Sequence, residues 1–203
     1  MQDPYTTYDE RDIPDLETFE ALHRELYAFP GWFLQQGQKS IGAWRMEMKK
    51  SLDLTRKGLE ISDVDFLRFF PGLTDLTIRS SRIHSMHGLD GAKQLSFLFL
   101  CDMEIDSLSP IAKCGQLSHL CMENVKVVDN DFSCLATLGK LTNLEIRHCG
   151  LTDVEWLESL GSLVVAGFDE NDIQDFSVVR SLPRLKIIST DFGFFEPPFE
   201  KLA

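Results

Sequence analysis

The chain has 203 residues, 43% of them hydrophobic, and a formal net charge of -12 at pH 7. That length fits one domain with a continuous core. The charge argues against nucleic acid and against an anionic membrane as partner, because both demand clustered cations; it suits a basic protein partner or serves only to keep the chain in solution.

The opening Met1-Gln-Asp-Pro4 has neither the basic start nor the apolar run of a signal peptide. No stretch reaches the apolar length of a membrane span. Residues 1–11 are polar and read as loose. Asp12-Ile-Pro-Asp15 carries helix-start chemistry, and Leu16, Phe19, Leu22 and Leu26 follow on one helical face, ending near Ala28 before Pro30-Gly31. From Trp44 to Leu54 the apolar residues Trp44, Met46, Met48, Leu52 and Leu54 alternate with polar ones. That pattern predicts a strand, although Ile41, Trp44 and Met48 also suit a helical face. The helix and this joining segment form an N-terminal tail and cap over residues 1–48.

Residues 49–191 are organised by one recurring spacing. Blocks open Leu73-Thr-Asp-Leu76-Thr-Ile78, Leu95-Ser-Phe-Leu98-Phe-Leu100, Leu117-Ser-His-Leu120-Cys-Met122, Leu141-Thr-Asn-Leu144-Glu-Ile146 and Leu163-Val-Val-Ala166-Gly-Phe168. All are 22 residues long except the third, which has 24. Less regular turns flank them at Leu52 and Leu54 and at Leu185 and Ile188. The fourth and sixth places are two apart, so in a strand both point into the core while their neighbours point out. Later apolar places recur at Ile83, Ile105, Val127, Leu151 and Ile173, and at Leu89, Ile111, Leu135, Leu157 and Val179. One such unit cannot bury its face alone, so the units must stack. The tail Phe192-Gly-Phe-Phe195-Glu-Pro-Pro-Phe199 supplies rings to cover the last unit, and its prolines argue against a further strand. Residues 192–203 therefore read as an aromatic C-terminal cap, with a partner-binding peptide as the alternative.

This period and its L-x-x-L-x-L opening are the leucine-rich repeat signature. With short returns and isoleucine in the eleventh place, the pattern resembles the class found in phosphatase-regulatory and internalin-type proteins. The resemblance implies an α/β solenoid with about seven parallel strands, whose curved sheet faces protein partners. One departure concerns the ninth place, usually asparagine, which holds Lys57, Ser81, Met103, Val125, Cys149 and Asn171. Only Asn171 keeps the family residue, so the implied ladder of buried amide hydrogen bonds is largely missing and the expected solenoid is irregular or weakly curved. Separately, Ile13-Pro-Asp-Leu16, Leu22, Glu25-Leu26, Pro30 and Trp32-Phe33 are similar to the first helix and loop of barstar-type ribonuclease inhibitors. The acids that plug the nuclease in that family have no counterpart in Leu34-Gln-Gln-Gly-Gln-Lys39.

In each repeat the third, fifth and seventh places face outward, with adjacent strands about 4.8 Å apart. This predicts an outward cluster of Phe97, Phe99, Cys101, His119 and Cys121, with Glu123, Glu145, Arg147 and Asp169 alongside. Exposed aromatics in mid-sheet are what an interface anchor looks like. Asp53, Asp75 and Asp191 extend the acidic surround against Arg79 and Arg147, and Arg147 reads as a rung between Glu123 and Asp169. A cover supplied by another loop of the chain is the competing reading of the two rings.

Five scattered cysteines, with Cys114, Cys134 and Cys149 at core or near-core places, indicate free thiols in a cytoplasmic, reducing setting. No Cys-x-x-Cys or His-x-x-x-His spacing supports a zinc site at Cys101, His119 and Cys121, and an open sheet encloses no thiol nucleophile. Neither a metal, a cofactor nor catalysis is expected. The leading expectation is a stoichiometric inhibitor such as a bacterial immunity protein, monomeric before it binds a basic toxin or enzyme. The alternatives are a regulatory scaffold of the phosphatase-binding kind and, last, a thiol or metal enzyme.

Overall fold

The computed structural model describes residues 50–199, apart from 56–59, 62, 66, 68, 69, 71, 80, 81 and 84. The N-terminal helix, the barstar-like segment, Lys57 and Ser81 lie outside the described residues, as does the strand reading up to Lys49. Strands are β1 (Ser51–Thr55), β2 (Glu60–Ile61), β3 (Asp75–Arg79), β4 (Arg82–Ile83), β5 (Phe97–Ile105), β6 (His119–Val127), β7 (Asn143–Arg147), β8 (Val165–Gly167), β9 (Ile187–Thr190) and β10 (Gly193–Phe195). The main sheet runs β1-β3-β5-β6-β7-β8-β9-β10, and β2 and β4 form a second, two-stranded parallel ladder. Parallel pairing holds from β1 to β9, which makes the seven expected strands. The eighth, β10, is antiparallel to β9. The tail was expected not to form a strand; it forms one ahead of Pro197 and Pro198, where backbone N–H groups are still present.

The register keeps the repeat places aligned: Leu76, Leu98, Leu120, Leu144, Ala166 and Ile188 fall opposite one another from strand to strand. All six are at most 1% exposed, as are Leu89, Ile111, Leu135, Leu157 and Val179 on the return side. Full burial of one such leucine contributes about 2 kcal/mol. The returns are single helical turns: 3-10 turns at Leu89–Gly91, Ser133–Thr137, Glu155–Ser159 and Ser177–Ser181, and one α turn at Ser109–Ala112.

Each return begins with a short polar side chain that accepts the backbone N–H two residues on. Asp63, Ser85, Ser107, Asp131, Asp153 and Asp175 do this at 2.7–3.2 Å. They follow the repeat period, and the turn they stabilise reverses the chain. A second ladder runs along the second place, where hydroxyls donate to the carbonyl one repeat back: Thr74 to Lys50, Ser96 to Thr74, Ser118 to Ser96 and Thr142 to Ser118. Val164 and Lys186 end it.

At the eighth place Asp102, Asn124, His148 and Glu170 all adopt φ of 51–58°. This left-handed residue turns the ninth side chain back toward the core. Met103 and Val125 are buried there, and the Cys149 thiol donates to the Arg147 carbonyl at 3.1 Å. Asn171 makes the bonds that the family pattern implies. Its Oδ1 accepts from the N–H groups of Cys149 and Leu151, and its Nδ2 donates to the carbonyls of Ile146, Phe168 and Asp169. At Gly88, whose φ is 89°, a Cβ would collide with a neighbouring backbone, that of Asp65.

Candidate functional site: the outward face of the sheet

Three rows of side chains cross the outward face. The third-place row pairs Asp75, Phe97, His119, Asn143, Val165 and Ile187, and the fifth-place row pairs Thr77, Phe99, Cys121, Glu145, Gly167 and Ser189. The seventh-place row runs Arg79, Cys101, Glu123 and Arg147, with Asp169 just past the end of β8. All nine expected site residues fall on this face or its rim.

How far they are uncovered differs from expectation. Phe97 and Phe99 point outward but are half-buried. The Arg79 guanidinium lies 4.4 Å from the centre of the Phe99 ring, and His119 packs 6.2 Å from the Phe97 ring at 38°. His119 is held by a 2.9 Å hydrogen bond between its Nδ1 and the Ser118 hydroxyl. Cys101, expected beside the rings as part of the surface, is 8% exposed. A short side chain between Arg79 and Glu123 cannot reach past them.

The charged end of the face is a network. Arg147 pairs with Glu145 at 3.3 Å and with Asp169 at 3.5 Å, so Glu145 takes the place expected for Glu123. The Ser189 hydroxyl lies 2.8 and 2.9 Å from the two Asp169 carboxylate oxygens, which share its one proton, and the Cys121 thiol donates to Glu145 at 3.9 Å. Gly167, opposite Glu145, leaves the Arg147 side chain room to lie across β8. Glu123 has no ion-pair partner among the described residues and is exposed.

The cysteines are all free thiols. Burial, then the Glu145 charge, pushes the Cys121 thiol up to about 12. Burial and the charge and hydrogen bond of Asp102 raise Cys101. Burial is the main cause again at Cys114, up to about 12, and at Cys134 and Cys149, up to about 11. A nucleophilic thiol needs the opposite shift. Among the described residues, no three His, Cys, Asp or Glu side chains converge as metal ligands. No helix among them is long and apolar enough to cross a membrane.

A feature that the spacing rule did not single out lies at the C-terminal corner. Phe192 and Phe194 are each 79% exposed and Ile187 is 37% exposed. Phe194 pairs with Ser189 and so extends the fifth-place row, whereas Phe195, opposite Ile188, turns to the core that Phe199 also covers. The signal was present in the sequence: Thr190-Asp-Phe-Gly193, with glycine at a φ of 115°, is a two-residue hairpin followed by alternating side chains.

Scans against protein-family models and curated proteins find no match. Solved structures of internalins from Listeria monocytogenes do resemble it. Internalin C2 aligns at 29% identity and a TM-score of 0.58, over 70% of this chain and 63% of its own. A second internalin, InlF, aligns at 16% identity and 0.56, over 89% of this chain and 57% of its own. The functional domain of InlJ aligns at 18% identity and 0.53, over 70% of this chain and 32% of its own. This chain thus spans less than two thirds of each neighbour, and the last two speak to fold alone. With its stacked period, parallel ladder and internalin-like solenoid, the chain is a leucine-rich repeat protein.

Proposed function

We propose that the outward sheet is a protein-binding surface and that the chain is a stoichiometric inhibitor, such as a bacterial immunity protein that neutralises a basic toxin. The supporting observation is how the face distributes charge. Asp75, Glu123, Glu145, Asp169 and Asp191 lie on it or at its edge, while both nearby cations are engaged within the chain, Arg79 over a ring and Arg147 between two carboxylates. The net field is acidic, which speeds and orients docking of a basic partner. Phe97 and Phe99 supply the apolar centre and Glu123 the rim.

The reading is non-enzymatic, because every thiol is raised and the face is open. Free thiols fit a reducing cytoplasm. The chain is a monomer until it binds. Affinity capture from the source cell, followed by an activity assay on the captured protein, tests the proposal. Loss of the partner's activity at a one-to-one ratio is expected. Unchanged activity in the complex would favour a regulatory scaffold. In surface plasmon resonance, Phe99→Ala should raise the dissociation rate about thirtyfold, and Glu123→Gln should instead slow association and flatten its salt dependence. Parent-like binding by both Phe97→Ala and Phe99→Ala would remove the central sheet as the site.

A further inference from the structure

We infer that the C-terminal corner of the same face is a second contact point, which takes an apolar side chain from a basic partner protein. This rests on the sheet being the partner-binding surface. Ile187 and half-buried Val165 are paired neighbours in the third-place row. Beside them, the fifth-place row drops to the small residues Gly167 and Ser189 and then rises at Phe194. The result is a step: an apolar floor, a low gap, and an aromatic wall that is 79% exposed. Phe192 adds a second exposed ring in the turn that joins β9 to β10. Rings this uncovered, continuous with a charged face, are what an anchor position looks like before a partner fills it.

Charge selects the occupant. Asp169 lies in the seventh-place row and Asp191 in the turn between β9 and β10, where it accepts the Glu170 N–H; Arg147 is already paired with Asp169, Glu170 pairs with His148, and Lys186 precedes Ile187 in the chain. A second copy of this chain would bring a further net charge of -12 against this one. Self-pairing through the edge of β10 is also restricted, because that strand is three residues long and Pro197-Pro198 follows it. A cationic surface carrying a projecting aliphatic or aromatic side chain satisfies both the step and its rim.

The test uses the full chain and labelled 12-residue peptides read by fluorescence anisotropy: alternating Lys/Leu, with Lys/Ser and Glu/Leu as controls. The Lys/Leu peptide should bind about tenfold more tightly than either control. Phe194→Ser and Ile187→Ser should each remove most of the Lys/Leu advantage while leaving Lys/Ser binding within about twofold. Phe192→Ser, in an exposed turn, gives a second variant whose circular dichroism should match the parent. If Lys/Leu binding falls with Glu123→Gln but not with the three corner variants, the corner proposal fails and the sheet reading stands. If none of the four variants changes it, both fail. No Lys/Leu binding, or equal Glu/Leu binding, overturns the corner. A dimer by sedimentation that Phe194→Ser dissociates would name a second copy as occupant and likewise overturn the proposal.

Discussion

The central repeats and the repeat that carries Asn171 solve the same turn in different ways. Strands β5 and β6 run nine residues each, passing through left-handed Asp102 and Asn124 and pairing again at Met103↔Val125 and Ile105↔Val127. Strand β8 stops after three residues, and its turn is held by the five bonds of the Asn171 amide. The ninth place decides between these. An apolar residue there is satisfied by burial, so the backbone must satisfy itself, and it does so by continuing the ladder. An amide supplies donors and acceptors of its own, so the ladder can end. Cys149 lies between the two solutions, its thiol donating to a carbonyl and its N–H accepted by Asn171.

The largest expected effect comes from breaking the amide solution. Asn171→Ala removes the amide from the N–H groups of Cys149 and Leu151 and from the carbonyls of Ile146, Phe168 and Asp169, of which Asp169 keeps the His148 N–H, for a loss of about 3 kcal/mol. The midpoint of thermal unfolding should drop by about 6–12 °C. A drop under one degree would mean that water replaces the amide at no cost.

The reverse exchange sharpens the contrast. Val125→Asn puts an amide at a fully buried position whose neighbouring backbone is already laddered. A loss of about 2 kcal/mol is expected by denaturant titration. A gain would show that the long strands convert readily to the amide turn, and that the ninth residue alone sets the difference.

High pH loads both regions through the thiols. Folding raises Cys114, Cys121, Cys134 and Cys149 to about 11 or 12 from an ordinary value of 9.0, so the folded chain holds more protons than the unfolded chain between those limits. Stability is therefore full below about pH 9 and falls as pH rises toward 11. Unfolding midpoints at pH 8, 9.5 and 10.5 should decline in that order, and a Cys149→Val variant should decline less steeply.

The smallest effect belongs to the outer rungs of the central repeats. Lys126 pairs with Glu104 at 2.9 Å, but both are well exposed. Lys126→Ala should cost less than about 0.5 kcal/mol, and a double-mutant cycle with Glu104→Ala should give a coupling of similar size.

The repeat period determined which residues face the core and which share a row. Strand side chains alternate, and stacked units repeat their register, so the spacing alone puts Leu98, Leu120 and Leu144 inward, and Phe99, Cys121 and Glu145 outward. The return caps at Asp131, Asp153 and Asp175 also follow the repeat period, but in the sequence they do not stand apart from ordinary polar turn residues, and only their hydrogen bonds identify them. Only the tertiary structure decided which outward residues are uncovered. Direction is set by the strand itself, whereas exposure depends on the length and charge of neighbours a full repeat away. Arg79 therefore covers Phe99, and Cys101 is buried despite its row. At the corner β9 pairs with the antiparallel β10, and that pairing leaves Phe194 uncovered, although the sequence assigned the rings of the tail to covering the last unit.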